Sequence, residues 1–194
     1  HLGENENVRV IVLSAKGKSF SAGADLNWMK RMAQNSHQEN LADAKVLSQM
    51  LHAIHTCPKP TVAVVQGSCY GGGIGLVACC DIAIASESVE FSFSEVKLGI
   101  IPATIAPYVI ASIGERRAHR YFLTGERFDV HEAFKMALVH EVVSPDRLVQ
   151  ATERIVMKIL KNSPKAVTAS KHLISAVVNK PINDEVKIYC CGVT

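Results

Sequence analysis

The chain has 194 residues, of which 48% are hydrophobic and 20% charged, which is typical of a globular protein with one substantial core and excludes a disordered chain. The net charge of +3 is small, and no basic cluster is interleaved with aromatic residues, so we expect no nucleic-acid partner. No apolar run reaches the roughly 18 residues of a membrane span, and the first residues are not a secretory signal. We therefore expect a soluble, intracellular, single-domain protein without a membrane partner.

The first predicted element is a buried strand over residues 8–14, "VRVIVLS". It is followed by Gly17-Lys18-Ser19, the last three letters of a phosphate-binding P-loop. That motif requires a glycine five positions before Gly17 and a helix opening at Lys-Ser. Val12 occupies the glycine position, and the residues after Ser19 predict a small-residue loop, so a nucleotide-hydrolase site is not supported.

Helix and strand signals then alternate. Ser36 and Glu39 have the spacing of a capping box, and apolar residues at helical spacing predict a helix that ends before Pro58. The segments 61–67 and 81–86 read as buried strands separated by a small-residue helix, an order that predicts neighbouring parallel strands in an α/β fold.

The last fifty residues are predicted to be mostly helix. Ser144-Pro145 and Ser163-Pro164 each place a capping serine before a proline at the first helical position. The six cysteines have no CxxC spacing, so we expect reduced, mostly packed thiols and no metal site.

Glycine-containing loops follow two of the predicted strands, at 22–24 and 71–73. Ligands bind at the carboxyl ends of strands in open α/β sheets, and loops without bulky side chains expose backbone N–H groups. Two such amides could form an oxyanion hole. The alternative is that the glycines only allow a helix to pack closely against the sheet. The segment 73–78 also fits a G-x-G-x-x-A dinucleotide fingerprint, but its loop is too long and Glu87 comes too early for the expected acidic residue.

Candidate acid and base residues are few. Glu95 follows the third strand and is the candidate catalytic carboxylate, with an ordinary solvated glutamate as the alternative. Asp25 precedes an apolar helical turn and fits an N-cap. The histidines form no Ser/His/Asp constellation.

Three stretches, "GKSFSAGADLNWM", "VQGSCYGGGIGLVACCDIAIAS" and "FSFSEVKLGIIP", closely resemble the crotonase family of enoyl-CoA hydratases and isomerases. The likeness continues through "IGERRAHRYFLTGERFD" and "LVHEVV". It implies an α/β, crotonase-like ββα spiral core over residues 1–143 and a helical C-terminal region over 144–194 within the same overall domain. Against the family pattern both ends of the chain are incomplete.

The resemblance also implies site residues. The amides at Ala24 and Gly72 would form the oxyanion hole for a thioester carbonyl, and Glu95 would be the catalytic carboxylate. The substrate would be an acyl-CoA thioester, with no bound prosthetic group. The positions carried over to coenzyme A binding are Lys18, Phe20, Ala22, Asp25 and Leu26.

One departure from the family bears on the reaction. Family hydratases use two glutamates, and the first of them is Gly75 in this chain. Three outcomes stay open: a hydratase that works with Glu95 alone, an isomerase that shuttles a proton with the same carboxylate, and an acyl-CoA-binding protein without activity. We favour the hydratase, because the region around Glu95 is similar to the bacterial branch assigned to 3-methylglutaconyl-CoA hydration in leucine breakdown.

Other implications concern the pocket, the assembly and the compartment. Ala103, Thr104 and Ala106 stand where most members have a glycine-rich turn, which is expected to reshape the acyl pocket. The family forms homotrimers, often paired into hexamers. A bacterial-like protein would be cytoplasmic, and a eukaryotic one would lie in the mitochondrial matrix.

Overall fold

A computed structural model describes residues 2–192, with Leu26 described by its backbone only. The strands are β1 (Ile11–Ser14), β2 (Ser19–Ser21), β3 (Thr61–Val65), β4 (Ser68–Tyr70), β5 (Ile82–Ser86), β6 (Glu90–Ser92), β7 (Arg127–Asp129) and β8 (Glu141–Val143). The helices are α1 (Leu26–Met32), α2 (His37–His55), α3 (Gly72–Cys79), α4 (Ala106–Ile113), α5 (Glu115–Thr124), α6 (Val130–Lys135), α7 (Leu148–Leu160), α8 (Pro164–Val177) and α9 (Asp184–Gly192), with 3-10 helices at Ser94–Leu98 and Pro145–Arg147.

The strands form two sheets. One has the order β1-β3-β5-β8 with all pairs parallel, and the other has the order β2-β4-β6-β7, in which only β7 is antiparallel among the described strands. The chain repeats one unit three times: a strand of the first sheet, a short strand of the second sheet, and then one or more helices. This arrangement confirms the α/β fold with a ββα spiral core.

The first sheet follows the sequence prediction closely. Its buried strands β3 and β5 lie within the predicted segments, and they pair in parallel, with Ala63 opposite Ala83. The strand predicted over 8–14 is shorter, because regular pairing starts at Ile11.

The loop predicted after Ser19 is wrong at its start, because Ser19–Ser21 is the strand β2. Ser19 pairs with Ser68 of β4, and the Gln66 side chain donates to the Ser19 carbonyl at 3.1 Å. These partners lie almost fifty residues away, so no local pattern marks this strand. Since Ser19 begins a strand and not a helix, the structure agrees with rejecting a P-loop.

Helix α2 confirms the capping box. The Glu39 N–H donates to Ser36 Oγ at 3.3 Å, and the Ser36 N–H donates to Glu39 Oε2 at 2.7 Å. The helix ends at His55, before Pro58 as predicted. Leu51 on this helix is fully buried, so α2 packs on the main core.

The main core fills the space beneath α3 and α4, with Phe91 and Phe93 fully buried. The Phe91 and Phe128 rings stack at 5.4 Å between centroids, which joins the short strands β6 and β7. A second cluster lies under α7, where Leu148 and Ala151 cover Val62 and Ile84.

The C-terminal region is mostly helical, as predicted. Ser163 precedes Pro164 at the first turn of α8, and Ser144 precedes Pro145 in the second 3-10 helix, although neither serine side chain accepts a bond from its first-turn amides. Four of the six cysteines are buried, which agrees with mostly packed thiols. None of the helices among residues 2–192 is long and apolar enough to cross a membrane.

Candidate active site

A cleft of about 480 Å³ opens at the carboxyl ends of the neighbouring parallel strands β2 and β4. Its walls come from the loop after β2, the start of α3, helices α1 and α2, the 3-10 helix Ser94–Leu98 and the segment leading into α4. This is the edge where open α/β sheets bind ligands, and the volume suits a small molecule. The cleft brings together Ala24, Gly72 and Glu95, the three candidate catalytic residues.

The amides of Ala24 and Gly72 are two free donors in this cleft. Neither N–H donates to another group of the described chain, and Gly72 is the first residue of α3, where helix amides lack an intrahelical acceptor. A Cβ on Gly72 would meet no atom within 4 Å, so its backbone is open to the cleft. Two free N–H groups beside the positive end of a helix suit a developing negative charge.

The next glycine, Gly73, has a packing role. A Cβ there would lie 2.7 Å from Ser21 Oγ and 3.2 Å from Cys69 Sγ, so α3 approaches β2 and β4 too closely for a side chain. The packing interpretation therefore holds for Gly73, while the oxyanion-hole role of Gly72 stays a prediction. Gly73 allows close packing, and this packing brings the open amide of Gly72 to the loop after β2.

Glu95 lies in the 3-10 helix Ser94–Leu98, half-buried at the side of the cleft. Its Oε2 atom is buried without a hydrogen-bond partner among the described residues. Burial raises the pKa of the Glu95 carboxyl above its usual range, and a backbone hydrogen bond opposes this in part. A half-buried carboxylate with an unpartnered oxygen and a raised pKa is poised to take up a proton.

Gly75 cannot be replaced by a carboxylate without rearrangement. It is buried in α3, and a Cβ there would overlap Cγ2 of Ile105 and lie 2.8 Å from its Cβ. The room that a side chain at position 75 would need is taken by an apolar group. Among the described residues, the carboxylates that line the cleft are therefore Glu95, Asp43 and Asp25, and Asp25 is engaged in capping α1.

Of the residues predicted to bind coenzyme A whose side chains the structure describes, only Asp25 lines the cleft. Lys18 and Ala22 are exposed, and Phe20 on β2 packs against the main core; none of these three lines the cleft. Asp25 lines it and caps α1, accepting from the Trp28 N–H at 2.8 Å, which confirms the N-cap interpretation. The side chain of Leu26 lies outside the described residues. Coenzyme A binding by this set stays a prediction.

The sequence analysis did not single out the apolar walls. They include Trp28 and Met32 from α1 and Leu47 and Met50 from α2, which all line the cleft. The signal that could have found them is the presence of apolar residues on two consecutive amphipathic helices flanking the glycine loop. None of the described residues that line the cleft is Lys, Arg or His, so the positive groups that face a ligand there are the partial charges of backbone N–H donors. Among residues 2–192 no three His, Cys, Asp or Glu side chains are grouped as a metal site requires.

Comparison with known proteins places this cleft in a family context. A family model described as enoyl-CoA hydratase/isomerase matches residues 1–188. A provisionally named enoyl-CoA hydratase/isomerase (crotonase) from Legionella pneumophila is 49% identical, with a TM-score of 0.94, over 99% of this chain and 74% of that one. An enoyl-CoA hydratase from Shewanella pealeana is 42% identical, with a TM-score of 0.95, over 99% of this chain and 72% of that one.

A relative named for a different reaction also matches. The peroxisomal Delta(3,5)-Delta(2,4)-dienoyl-CoA isomerase of Arabidopsis thaliana is 34% identical over 184 residues, which cover 89% of this chain and 66% of that protein. Proteins named as hydratases and as isomerases are therefore both similar to this chain, and similarity alone does not separate the two reactions.

Proposed function

The chain belongs to the enoyl-CoA hydratase/isomerase family, and we propose that it adds water across the 2,3 double bond of an enoyl-CoA thioester, with Glu95 as the single catalytic carboxylate. The observation that carries this proposal is the unpartnered, buried Oε2 of Glu95 in the same cleft as the free N–H groups of Ala24 and Gly72. The cleft then holds a proton acceptor and two oxyanion donors, the set needed for chemistry next to a thioester carbonyl.

The two amides stabilise the negative charge of the reaction. The thioester carbonyl oxygen accepts from the N–H groups of Ala24 and Gly72, and electron density moves onto this oxygen as the enolate forms. One such preorganised donor contributes about 3 kcal/mol to the stability of a transition state. Because these donors belong to the backbone, their positions depend on the packing of α3 against β2 and not on side-chain rotamers.

Glu95 transfers a proton from water to C2 of the substrate. The ionised carboxylate accepts a proton from water while the water oxygen bonds to C3, and the protonated carboxyl then returns this proton to C2 of the enolate. The net change is the addition of one water molecule, and Glu95 ends in its starting state. A raised pKa suits this cycle, because a base works best when its pKa is close to the operating pH.

Double-bond migration is the second candidate reaction. The same carboxylate would remove a proton from C2 of a 3-enoyl thioester and deliver it to C4, again through an enolate held by the two amides. Ile105 fills the space beside Gly75, so position 75 cannot carry a second carboxylate. This favours double-bond migration, since a proton shuttle needs no second carboxylate to hold water. The similarity to a protein named as a dienoyl-CoA isomerase supports it as well.

For the acyl group we propose 3-methylglutaconyl-CoA, an intermediate of leucine breakdown, on the strength of the sequence resemblance. Since the described cleft-lining residues carry no positively charged side chain, the distal carboxylate of this acyl group would have to reach solvent. We therefore expect the neutral crotonyl-CoA to be hydrated as well. No prosthetic group is required, because water, one carboxylate and two amides account for every atom that moves.

The assembly and the compartment are proposals of the same kind. We propose a homotrimer or a hexamer, which fits the large exposed apolar side chains on α5 and α6, Leu123 and Phe134. Sedimentation velocity of the purified chain measures its oligomeric state. We propose a cytoplasmic location for a bacterial protein and the mitochondrial matrix for a eukaryotic one.

The deciding experiment incubates the protein with 3-methylglutaconyl-CoA, crotonyl-CoA or a 3-enoyl-CoA in deuterated water and identifies products by chromatography against authentic thioesters and by mass. A hydratase adds one D₂O to a 2-enoyl thioester, and Glu95→Gln is expected to lack this activity while still binding acyl-CoA. Conversion of the 3-enoyl to the 2-enoyl thioester without water addition would identify an isomerase. Binding without turnover of any of the three would contradict both reactions and leave an acyl-CoA-binding protein.

A further inference from the structure

Ile105 lies between the cleft and the main core. It is the N-cap residue of α4, is only 1% exposed, and belongs to the main core cluster while it also lines the cleft. By contrast, Ile101 in the same segment also lines the cleft but is 73% exposed. A chain of carbons that enters the cleft from solvent passes residues such as Ile101 and ends at residues such as Ile105.

Gly75 allows Ile105 to take this position. The glycine lies inside α3 and does not have a positive φ, so its backbone conformation is open to any residue. What excludes a side chain is Ile105 itself, because a Cβ on Gly75 would overlap Cγ2 of Ile105. The glycine is therefore explained by close approach of the two helices and not by backbone strain.

The helix periodicity locates this contact with respect to the oxyanion amide. Residues three and four apart share a face of a helix, so Gly72, Gly75 and Leu76 lie on one face of α3. Gly72 and Leu76 line the cleft, whereas Gly75 does not. The Ile105 side chain covers Gly75 and forms the wall of the cleft beside it.

We propose that Ile105 is the specificity-determining residue that limits the length of the acyl group, and that Gly75 leaves the room in which the Ile105 side chain packs. The inference rests on the proposed function in that the ligand is taken to be an acyl-CoA thioester. Truncation of Ile105 to alanine removes three carbon atoms from the inner wall, which makes room for a longer acyl chain. One methylene more or less in an apolar pocket changes selectivity by about 10-fold to 200-fold, so the effect is measurable.

The test uses binding of saturated thioesters, which the proposed chemistry cannot consume. Affinities of butyryl-CoA, hexanoyl-CoA and octanoyl-CoA are measured by calorimetry for the wild-type protein, Ile105→Ala and the control Val109→Ala. Val109 is fully buried on the same helix and does not line the cleft, so it reports the general effect of a truncated core residue. The Ile105→Ala variant should raise the octanoyl-to-butyryl affinity ratio by about 10-fold, and Val109→Ala should leave this ratio unchanged.

The outcomes separate this inference from the proposed function. An unchanged ratio in a folded Ile105→Ala variant, or an equal change in Val109→Ala, would overturn the role of Ile105 while leaving acyl-CoA binding in place. If the wild-type protein bound none of the three thioesters, this result would contradict both the proposed function and the role of Ile105. Should Ile105→Ala not fold, Ile105→Val removes a single carbon and is expected to shift the ratio in the same direction by a smaller factor.

Discussion

Glu95 packs its Oε1 atom against Gly71, so closely that a Cβ on this glycine would lie 3.2 Å from the carboxylate oxygen. Gly71 also has a φ of 54°, in the left-handed region, and its N–H donates to the Ser92 carbonyl at 3.0 Å. The residue that turns the chain into α3 thus also borders the candidate catalytic carboxylate. The position of Glu95 and the position of the Gly72 amide depend on the same turn.

The first prediction concerns the substitution Gly71→Ala. With φ 54° and ψ −125°, Gly71 lies in a backbone region that costs alanine about 1–3 kcal/mol, and the new methyl group must displace the Glu95 carboxylate. We expect a lower unfolding free energy together with turnover slowed by up to about 10-fold, since the carboxylate has to shift by only part of an ångström and a misplacement of about 1 Å can cost about 100-fold. Steady-state kinetics and urea unfolding measure the two effects.

The matched control is Gly114→Ala. Gly114 has a φ of 81°, and a Cβ there would meet no atom within 4 Å, so it reports the conformational cost without a contact. If turnover slowed as much in Gly114→Ala as in Gly71→Ala, general destabilisation and not the displacement of Glu95 would be the cause.

The second prediction concerns the pH dependence that Glu95 gives to stability. Its pKa in the folded protein is raised by burial above the ordinary 4.5, so between these two values the folded state holds a proton that the unfolded state has released. Folding stability therefore falls as the pH rises through this window, because an ionised carboxylate has to be kept partly buried. Glu95→Gln removes this cost, and we expect the variant to unfold at higher urea concentration than the wild type at pH 7 and at a similar concentration near pH 4.

Glu87→Gln is the control for this experiment, since it makes the same substitution at an exposed residue. Its stability difference from the wild type should change little between the two pH values. A Glu95→Gln variant that was less stable than the wild type at pH 7 would show that the carboxylate stabilises the fold, contrary to the burial argument. For activity the sign is reversed: turnover should rise with pH through the pKa of Glu95, because the ionised form is the base.

Helix α2 and strand β3 follow from local sequence, whereas strand β2 does not. The capping box of α2 is set by two residues, Ser36 and Glu39, three positions apart, and β3 is set by a run of apolar β-branched residues, so both are predicted correctly. β2 has three residues and no periodic signal of its own. It exists because Ser19 meets Ser68 across the second sheet, a contact that only the fold supplies.

In the candidate site, too, some features can be found from the sequence and others only from the fold. Glu95 and the two glycine loops can be singled out because each comes after a strand that the sequence predicts, and all three predicted strands belong to the first sheet. The strands that directly precede the site residues are instead the short β2, β4 and β6 of the second sheet. The Gly75–Ile105 contact is not visible, because it arises where α4 packs on α3, thirty residues further along the chain. The family resemblance predicts a glutamate where this chain has Gly75, and in the structure Ile105 fills the room that a side chain there would need.

The third prediction separates two roles of Asp25. Its carboxylate caps α1 through the Trp28 N–H, and α1 carries two wall residues of the cleft, Trp28 and Met32. We expect Asp25→Ala to lose the cap, about 1 kcal/mol, and to raise KM several-fold with little change in kcat, whereas Asp25→Ser keeps a capping oxygen and remains close to the wild type. If Asp25 instead contacts coenzyme A through its charge, serine and alanine should raise KM equally, and the KM values of both variants decide between the roles.

The last prediction concerns the attachment of α8 to the core. Lys171 Nζ lies 2.7 Å from Asp81 Oδ2, with the lysine side chain only 12% exposed, and it also donates to the Lys59 carbonyl at 3.3 Å. The same Asp81 oxygen accepts from the Thr61 N–H and hydroxyl, so one carboxylate joins the start of β3, the residue before β5 and helix α8. We expect Lys171→Met to lower the unfolding free energy by about 1–3 kcal/mol, since charged hydrogen bonds of this kind are lost and the carboxylate keeps only neutral donors.

Lys187→Met provides the comparison, because Lys187 forms an ion pair with Asp184 at 3.1 Å in which both side chains are largely exposed. Exposed pairs contribute roughly 0–1 kcal/mol, so this variant should unfold close to the wild type. Urea unfolding monitored by circular dichroism measures both variants, and hydrogen exchange of the α8 amides shows whether the loss is local to that helix. Equal losses in the two variants would mean that burial of Lys171 adds nothing to its pairing with Asp81.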